Sequence, residues 1–192
     1  MRDDKRGRIV EAARKRFRYY GIKKTTVREV AQDAGVAVGT LYLYFAGKDD
    51  LVVACAEDYA ARHRKHAEEI LASPAPVADK LREYLVTRFR EAEETRTSSR
   101  HAVELTREVL RLKPDRPHEE GRMMWENVAK LLAIGMQSGE LHVADPENDA
   151  KVLIFSLAFF FPNALTAPAV PPREEDFLLV LNWFIEVWKR GP

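Results

Sequence analysis

Thr25 to Leu51 reads TTVREVAQDAGVAVGTLYLYFAGKDDL, and this stretch decides the fold. Thr26 and Glu29 have the spacing of a capping box, in which the threonine hydroxyl accepts an orphan amide and the glutamate reaches back to the cap, so a helix is expected from Val27. Val27, Val30, Ala31 and Ala34 then recur at helical spacing. Gly35 supplies the permissive backbone that a helix stop and a tight turn require. Beyond it, Val36, Leu41 and Phe45 are apolar while Thr40, Tyr42 and Tyr44 carry hydroxyls. A helix this short is not stable alone and must be held by its neighbours. Helix, glycine turn, short second helix and the start of a third is the order in which helix-turn-helix motifs bring a helix end to a DNA major groove.

Upstream, Ile9, Ala12, Ala13 and Phe17 form one apolar face of a first helix that ends near Tyr20 and Gly21. Taken together, I-x2-AA-x3-F-x3-G, TT, VA-x2-AGV, GTLYLYF and GKDDL resemble the N-terminal domain of the tetracycline-repressor (TetR) family of bacterial transcriptional regulators. The resemblance covers Ile9 to Leu51, and the small Ala31 and Gly35, four residues apart, suit the close helix crossing of such motifs. It implies an all-α chain with a three-helix DNA-binding domain over residues 1–48 and a helical ligand-binding and dimerisation domain over 49–192. It also implies a homodimer on a palindromic double-stranded operator, most simply as a repressor, released by a small molecule that moves the two heads out of register. One departure stands out: family members often have Ser where this chain has Ala37, so a hydroxyl that caps the recognition helix or touches phosphate is missing. Affinity is where that difference is expected to show.

By the same resemblance, the DNA-contacting residues are Thr25, Thr26, Val38, Gly39, Thr40, Tyr42, Tyr44 and Lys48. Thr40 can meet a thymine methyl or a base edge and Tyr42 can donate to phosphate, with packing as the alternative role for Tyr42. Gly39 admits a close backbone approach. Thr25 and Tyr44 are expected at phosphates, whereas Thr26 has its cap to make. Lys48 puts a cation at a helix start, against the macrodipole, unless an anion lies near. Asp49 and Asp50 are one candidate anion and a DNA phosphate the other, favoured because the family motif places a lysine here and helix-start amides assist it.

Charge supports this reading independently. Residues 1–48 hold 12 Lys/Arg and 5 Asp/Glu, a net +7, on a chain whose total is +1. Phosphate neutralisation supplies most non-specific DNA affinity. Arg2, Lys5, Arg6 and Arg8 are therefore expected near phosphate, a solvated tail being the plainer alternative. At 192 residues and 46% hydrophobic, the chain can bury a real core. Cys55 is the only cysteine, so an intrachain disulfide is excluded and a reducing cytoplasm is the simplest location. No apolar run reaches the ~20 residues of a membrane-spanning helix, and the charged start is unlike a signal peptide.

Prolines divide the remainder into helices expected at Lys48 to Ala72, Val77 to Thr95, Val103 to Leu112, His118 to Ser138, Asp145 to Leu165 and Glu174 to Lys189, making about nine in all. The last, FLLVLNWFIEVW, is apolar almost all round and is expected to pack on two sides. The dimer interface is assigned to Phe155, Phe177, Leu181, Trp183, Phe184 and Trp188, with a fully buried helix in a monomer as the alternative. Tyr84, Phe89, His101, Met124, Trp125, Phe155 and Phe159 lie on the middle helices and are assigned to a cavity for an apolar or aromatic inducer, although such stripes are also ordinary core. Pro162 is expected to kink or end its helix, with Asn163 beside it.

Enzyme readings find no support. There is no Gly-rich phosphate loop, H-E-x-x-H, G-x-S-x-G or cysteine pair, so no catalytic residue, cofactor or metal is assigned. His63 and His66 share a helical face, but the exposed basic stretch expected around them suits a cation poorly. The alternative function is a DNA-binding protein of the same fold without small-molecule control, acting through a protein partner.

Overall fold

The computed structural model describes residues 2–97, 101–161 and 170–191. Among these the chain forms nine α-helices and no strand: α1 (Arg2–Tyr20), α2 (Val27–Asp33), α3 (Val38–Tyr42), α4 (Lys48–Ala72), α5 (Val77–Thr97), α6 (Ala102–Leu112), α7 (Arg116–Ser138), α8 (Pro146–Ser156) and α9 (Glu174–Arg190). The boundaries follow local chemistry. Asp145 caps α8 by accepting the amides of Glu147 and Asn148 at 3.1 Å each, and Pro146 takes the first helical position, where its missing N–H costs nothing. Helix α7 starts two residues before the expected His118, because Pro117 is equally at home in a first turn. Acidic residues open α9 and Lys189 and Arg190 close it, both favourable to the macrodipole.

Helix α8 corrects an expectation. Instead of running to Leu165 it ends at Ser156, and a 3-10 turn follows over Ala158–Phe160. The Ser156 hydroxyl bonds back to the Val152 carbonyl at 2.8 Å, a contact that disfavours helix continuation. Leu157 and Phe160, three apart, are then both buried, as the tighter turn allows. Pro162 and Asn163 lie outside the described residues.

Packing divides the chain differently from the functional boundary expected at residue 48. One compact unit comprises Met1–Arg62 with Thr95–Arg116, the other His63–Glu94 with Pro117–Pro192. In the first, Ile9, Ala13 and Phe17 of α1 meet Val30 and Ala31 of α2, Leu41 of α3, Phe45, and Leu51, Val52 and Cys55 of α4. Leu105, Val109 and Leu112 of α6 close over that core. Polar ties reinforce the closure: Glu104 accepts the Lys23 backbone amide at 2.9 Å, and Arg111 donates to Asp49 at 2.8 Å.

The second unit is built on Leu81, Leu85 and Phe89 of α5, Val128, Leu131 and Leu132 of α7, Leu153 and Leu157, and Phe177, Leu181 and Ile185 of α9. Phe89 stacks on Phe177 with ring centroids 4.9 Å apart. Full burial of each such side chain is worth roughly 1.5–3 kcal/mol before entropy.

Candidate nucleic-acid interface

The short helix α3 is positioned by α1 and α2 through a set of bonds that starts at the capping box. Thr26 Oγ1 accepts the Glu29 amide at 3.3 Å, and the Glu29 carboxylate accepts the Thr26 amide at 2.8 Å. Arg16 of α1 then holds both ends of α2, with Nη1 3.1 Å from Glu29 and Nε 2.6 Å from Asp33. The hydrogen bonds from Arg16 keep the Asp33 carboxyl below the usual carboxylate range, and the Thr26 amide does the same for Glu29. Gly35, at φ +64°, makes the turn, and Val36 bonds back to the Ala31 carbonyl at 3.0 Å. Arg8 of α1 donates to the carbonyls of Ala34 and Gly35, so the turn too is anchored.

Helix α3 hangs from this frame by Leu41, which is fully buried, and by Phe45 just beyond it. Val38 and Tyr44 are half-buried against the same core. The opposite side carries Gly39, where an added Cβ would meet nothing within 4 Å, and the exposed Tyr42, with Thr40 at the margin. Ala37 makes no side-chain bond to the helix start. Exposed Lys23, Lys24 and Arg28 belong to the same unit, as do Lys5 and Arg6, the latter 5.5 Å from the centre of the Phe45 ring. The unit therefore combines a rigidly held short helix, an outward face without obstruction and an excess of cations.

Two residues depart from their expected surroundings. Thr25 is completely buried and its hydroxyl donates to the Gly21 carbonyl at 2.7 Å, so its side chain secures the turn between α1 and α2 instead of presenting a hydroxyl to phosphate. Lys48 is half-buried and its ammonium donates to the Ile22 carbonyl at 2.8 Å. The neighbouring acids are occupied elsewhere: Asp50 accepts the Ala46 amide at the start of α4, and Asp49 faces Arg111. Neither is the counter-ion that the sequence offered for Lys48.

Residues 9–55 match the family described as bacterial regulatory proteins, tetR family. The chain carries a TetR-family DNA-binding head. A stretch of 85 residues is 34% identical to the HTH-type transcriptional dual regulator CecR of Shigella flexneri, covering 41% of this chain and 38% of that protein. The Fatty acid metabolism regulator protein of Bacillus subtilis is 26% identical over 191 residues, covering 95% of this chain and 93% of the relative. In solved structures the whole fold recurs: SmeT in its complex with triclosan superposes with a TM-score of 0.68 at 19% identity, over 96% of this chain and 91% of SmeT. SmeT is the repressor of the Stenotrophomonas maltophilia multidrug efflux pump SmeDEF. The helices of the described residues, with their N-terminal helix-turn-helix, match the TetR-family fold, and the relatives named here are regulators or repressors.

The residues assigned to an inducer cavity differ in burial and are divided between the two units. Tyr84, Phe89 and Met124 are buried in the second unit, where Asn127 donates to the Tyr84 hydroxyl at 3.1 Å and burial pushes the phenol pKa up. Trp125 is half-buried, with the Phe155 ring edge-on to it at 6.3 Å. Phe155 and Phe159 point to solvent. His101 belongs to the first unit, where its ring and Glu104 crowd the side of Gly21 on which a Cβ would lie. Sequence reasoning missed the polar part of the second unit. His63, expected on an exposed basic stretch, is buried with Nδ1 3.1 Å from Glu91, and Arg88 is buried nearby with Nη2 4.0 Å from the Met124 sulfur. Lone charged residues inside an amphipathic pattern give no such signal, because the same spacing suits a long side chain that snorkels out.

The interface residues likewise separate. Phe177, Leu181 and Trp188 face inward and are core of the single chain. Trp183, 62% exposed, and Phe155, 67% exposed, face outward, and Phe184 is half-buried between the two roles. Leu179 and Val187 extend the outward row on α9, and Val152 precedes Phe155 on α8. The two-sided apolar character of the last helix is thus real, but half the assigned residues belong to the inner side.

The thiol of Cys55 is buried beneath Val10, and desolvation pushes its pKa up to about 12. It is the opposite of a reactive cysteine. Among the described residues no group of three or more His, Cys, Asp or Glu is placed to hold a metal ion, and no helix is long and apolar enough to cross a membrane.

Proposed function

We propose that this chain is a ligand-responsive transcriptional regulator that binds a palindromic operator as a homodimer in the bacterial cytoplasm, most simply as a repressor. The observation that carries the reading is the outward face of α3, where Gly39, Thr40 and Tyr42 sit on a helix braced by Arg8, Arg16 and the Thr26–Glu29 cap. Residues 1–48 act as the reading head, with Lys48, Tyr44 and the cations of α1 and α2 at phosphates and Thr26 and Val38 as support. The apolar row Val152, Phe155, Leu179, Trp183 and Val187 on α8 and α9 supplies the twofold contact. Two heads on a twofold axis then require half-sites about one helical turn apart.

A small molecule with an apolar or aromatic body releases the operator from within the second unit. Support comes from two relatives, one named as a fatty acid metabolism regulator and one solved with triclosan. The buried Arg88, His63 and Asn127 add a requirement: the ligand's body is apolar, but one end is polar. The second reading, regulation without a small molecule, draws on the close packing of Tyr84, Phe89 and Met124.

The test begins with full-length protein and a randomised duplex library. Enrichment of a twofold-symmetric sequence, footprinted on two half-sites, is expected, and Lys48→Ala should lower the salt slope of binding by about one unit. Absence of enrichment, or an asymmetric site held by a monomer, overturns the reading. For the ligand, Trp125 fluorescence in a Trp183→Phe, Trp188→Phe background is titrated with aromatic and fatty compounds, alongside release of labelled duplex. Compounds that quench Trp125 yet leave duplex affinity unchanged favour the second reading, since an inducer acts only through differential affinity for two states.

A further inference from the structure

Helix α3 is assigned five residues, yet its helical backbone continues through Leu43, which has φ −71° and ψ −19° and whose amide bonds to the Thr40 carbonyl at 3.2 Å. Successive side chains on a helix are about 100° apart, so residues four apart share a face. Leu41 and Phe45 point into the core with Val38 and Tyr44 beside them, and the face directly opposite belongs to Gly39 and Leu43. Gly39 contributes no side chain and has open space around it. Leu43 is 83% exposed, the most exposed large apolar side chain of the described residues.

A single exposed leucine is ordinary. Its place is what gives it meaning: the centre of the outer face of a helix that the rest of the unit holds rigid, one turn beyond a glycine that lets the backbone come close. Leucine has neither charge nor hydroxyl, so phosphate and base-edge hydrogen bonds are closed to it. The major groove presents one apolar group that a branched aliphatic side chain can bury, the C5-methyl of thymine. We propose that Leu43 reads a thymine methyl group in each half-site, with Gly39 setting the depth at which α3 enters the groove. The inference rests on the DNA-binding reading above and adds to it a residue and the base feature it recognises.

The test uses the full-length protein and the duplex it enriches from a random library. Each thymine in turn is replaced by deoxyuridine, which removes the methyl and leaves every hydrogen bond in place. One symmetric pair of positions should lose about fourfold in affinity per half-site, the value of one buried methyl group. Leu43→Ala, a change at an exposed side chain, should bind the thymine and uracil duplexes alike. Leu43→Met, which keeps an apolar reach, should restore part of the discrimination. The proposal is overturned if no thymine position responds, if the response persists in Leu43→Ala, or if Leu43→Ala weakens unrelated duplexes as much as the enriched one. Failure to enrich any duplex overturns the DNA-binding reading itself, and is distinguishable from these three results.

Discussion

Trp183→Ala tests whether the outer row of α9 is where two copies meet. The indole is 62% exposed in the single chain and lies edge-on to Phe184, with ring centroids 5.1 Å apart. If a twofold contact covers it, each copy removes on the order of 100 Å2 of apolar surface from water, worth ~2.5 kcal/mol at ~25 cal/mol per Å2. The axis doubles the effect, and imperfect covering reduces it, so dimer association should weaken by ~2.5–5 kcal/mol, or roughly two to four orders of magnitude in Kd. The comparison variant is Leu181→Ala, on the buried face of the same helix. It should cost ~2–5 kcal/mol of protomer stability through the cavity it leaves. Sedimentation equilibrium over a concentration series separates the two, with thermal unfolding at low and high protein concentration as a second measurement. Trp183→Ala should dissociate at concentrations where the natural chain is dimeric, and its melting temperature should lose most of its concentration dependence. Leu181→Ala should melt lower at every concentration. An unchanged dimer constant in Trp183→Ala, or a natural chain that is monomeric at micromolar concentration, refutes the assignment.

Three further outcomes are expected. Thr26→Ala should cost ~1 kcal/mol of stability in chemical denaturation by removing the cap of α2, and Thr26→Ala with Glu29→Gln should cost less than the sum of the two because the bonds are shared. The Asp33 carboxyl is held below the usual range by Arg16, so its folded-state pKa lies under the unfolded value; its contribution is complete above about pH 4 and is lost as pH falls through the folded value. Asp33→Asn should therefore flatten the acid limb of the stability profile and leave neutral-pH behaviour with a constant offset. Cys55 should react with a thiol reagent at pH 8 only after unfolding, since its pKa of about 12 leaves almost no thiolate; rapid labelling of the native protein would contradict the burial.

The features legible in the sequence were those with a local cause. The Thr26–Glu29 cap, the Gly35 turn, the Asp145–Pro146 start of α8 and the full extent of α4 each depend on residues a few positions apart. Where α8 stops was less legible, because Ser156 within an apolar run reads as an interruption of the pattern and not as a hydroxyl turned back on the helix. Faces were harder than elements. In α9 nearly every residue is apolar, so its periodicity does not say that Phe177, Leu181 and Trp188 turn inward while Leu179 and Trp183 turn out. On the outward face of α3, Tyr42 and Thr40 attract notice by their hydroxyls, whereas Leu43 looks like one more core leucine until Leu41 and Phe45 are seen to fill the core first. Thr25 failed for the converse reason: a hydroxyl beside a DNA motif suggests phosphate, and only the fold shows it spent on Gly21. His101 was expected with the middle helices yet belongs to the first unit, since nothing in a helical pattern says which core a helix will join.

The arrival of α6 in the first unit has a consequence for anyone who treats the DNA-reading module as portable. Its core is closed by Leu105, Val109 and Leu112, and its α1–α2 turn is held by Glu104, 81 positions along the chain from Lys23. On the ribosome, that closure is absent when the first three helices emerge, because residues 63–94, which belong to the other unit, are synthesised before α6. A chimera that exchanges only residues 1–48 would set a foreign surface against the resident α6, and a truncation after α4 would remove Leu105, Val109 and Leu112 from the core they pack against. Grafting a new operator preference onto this chain therefore calls for exchanging α6 along with the first three helices, or for altering only the outward positions of α3, which no distant segment has to accommodate.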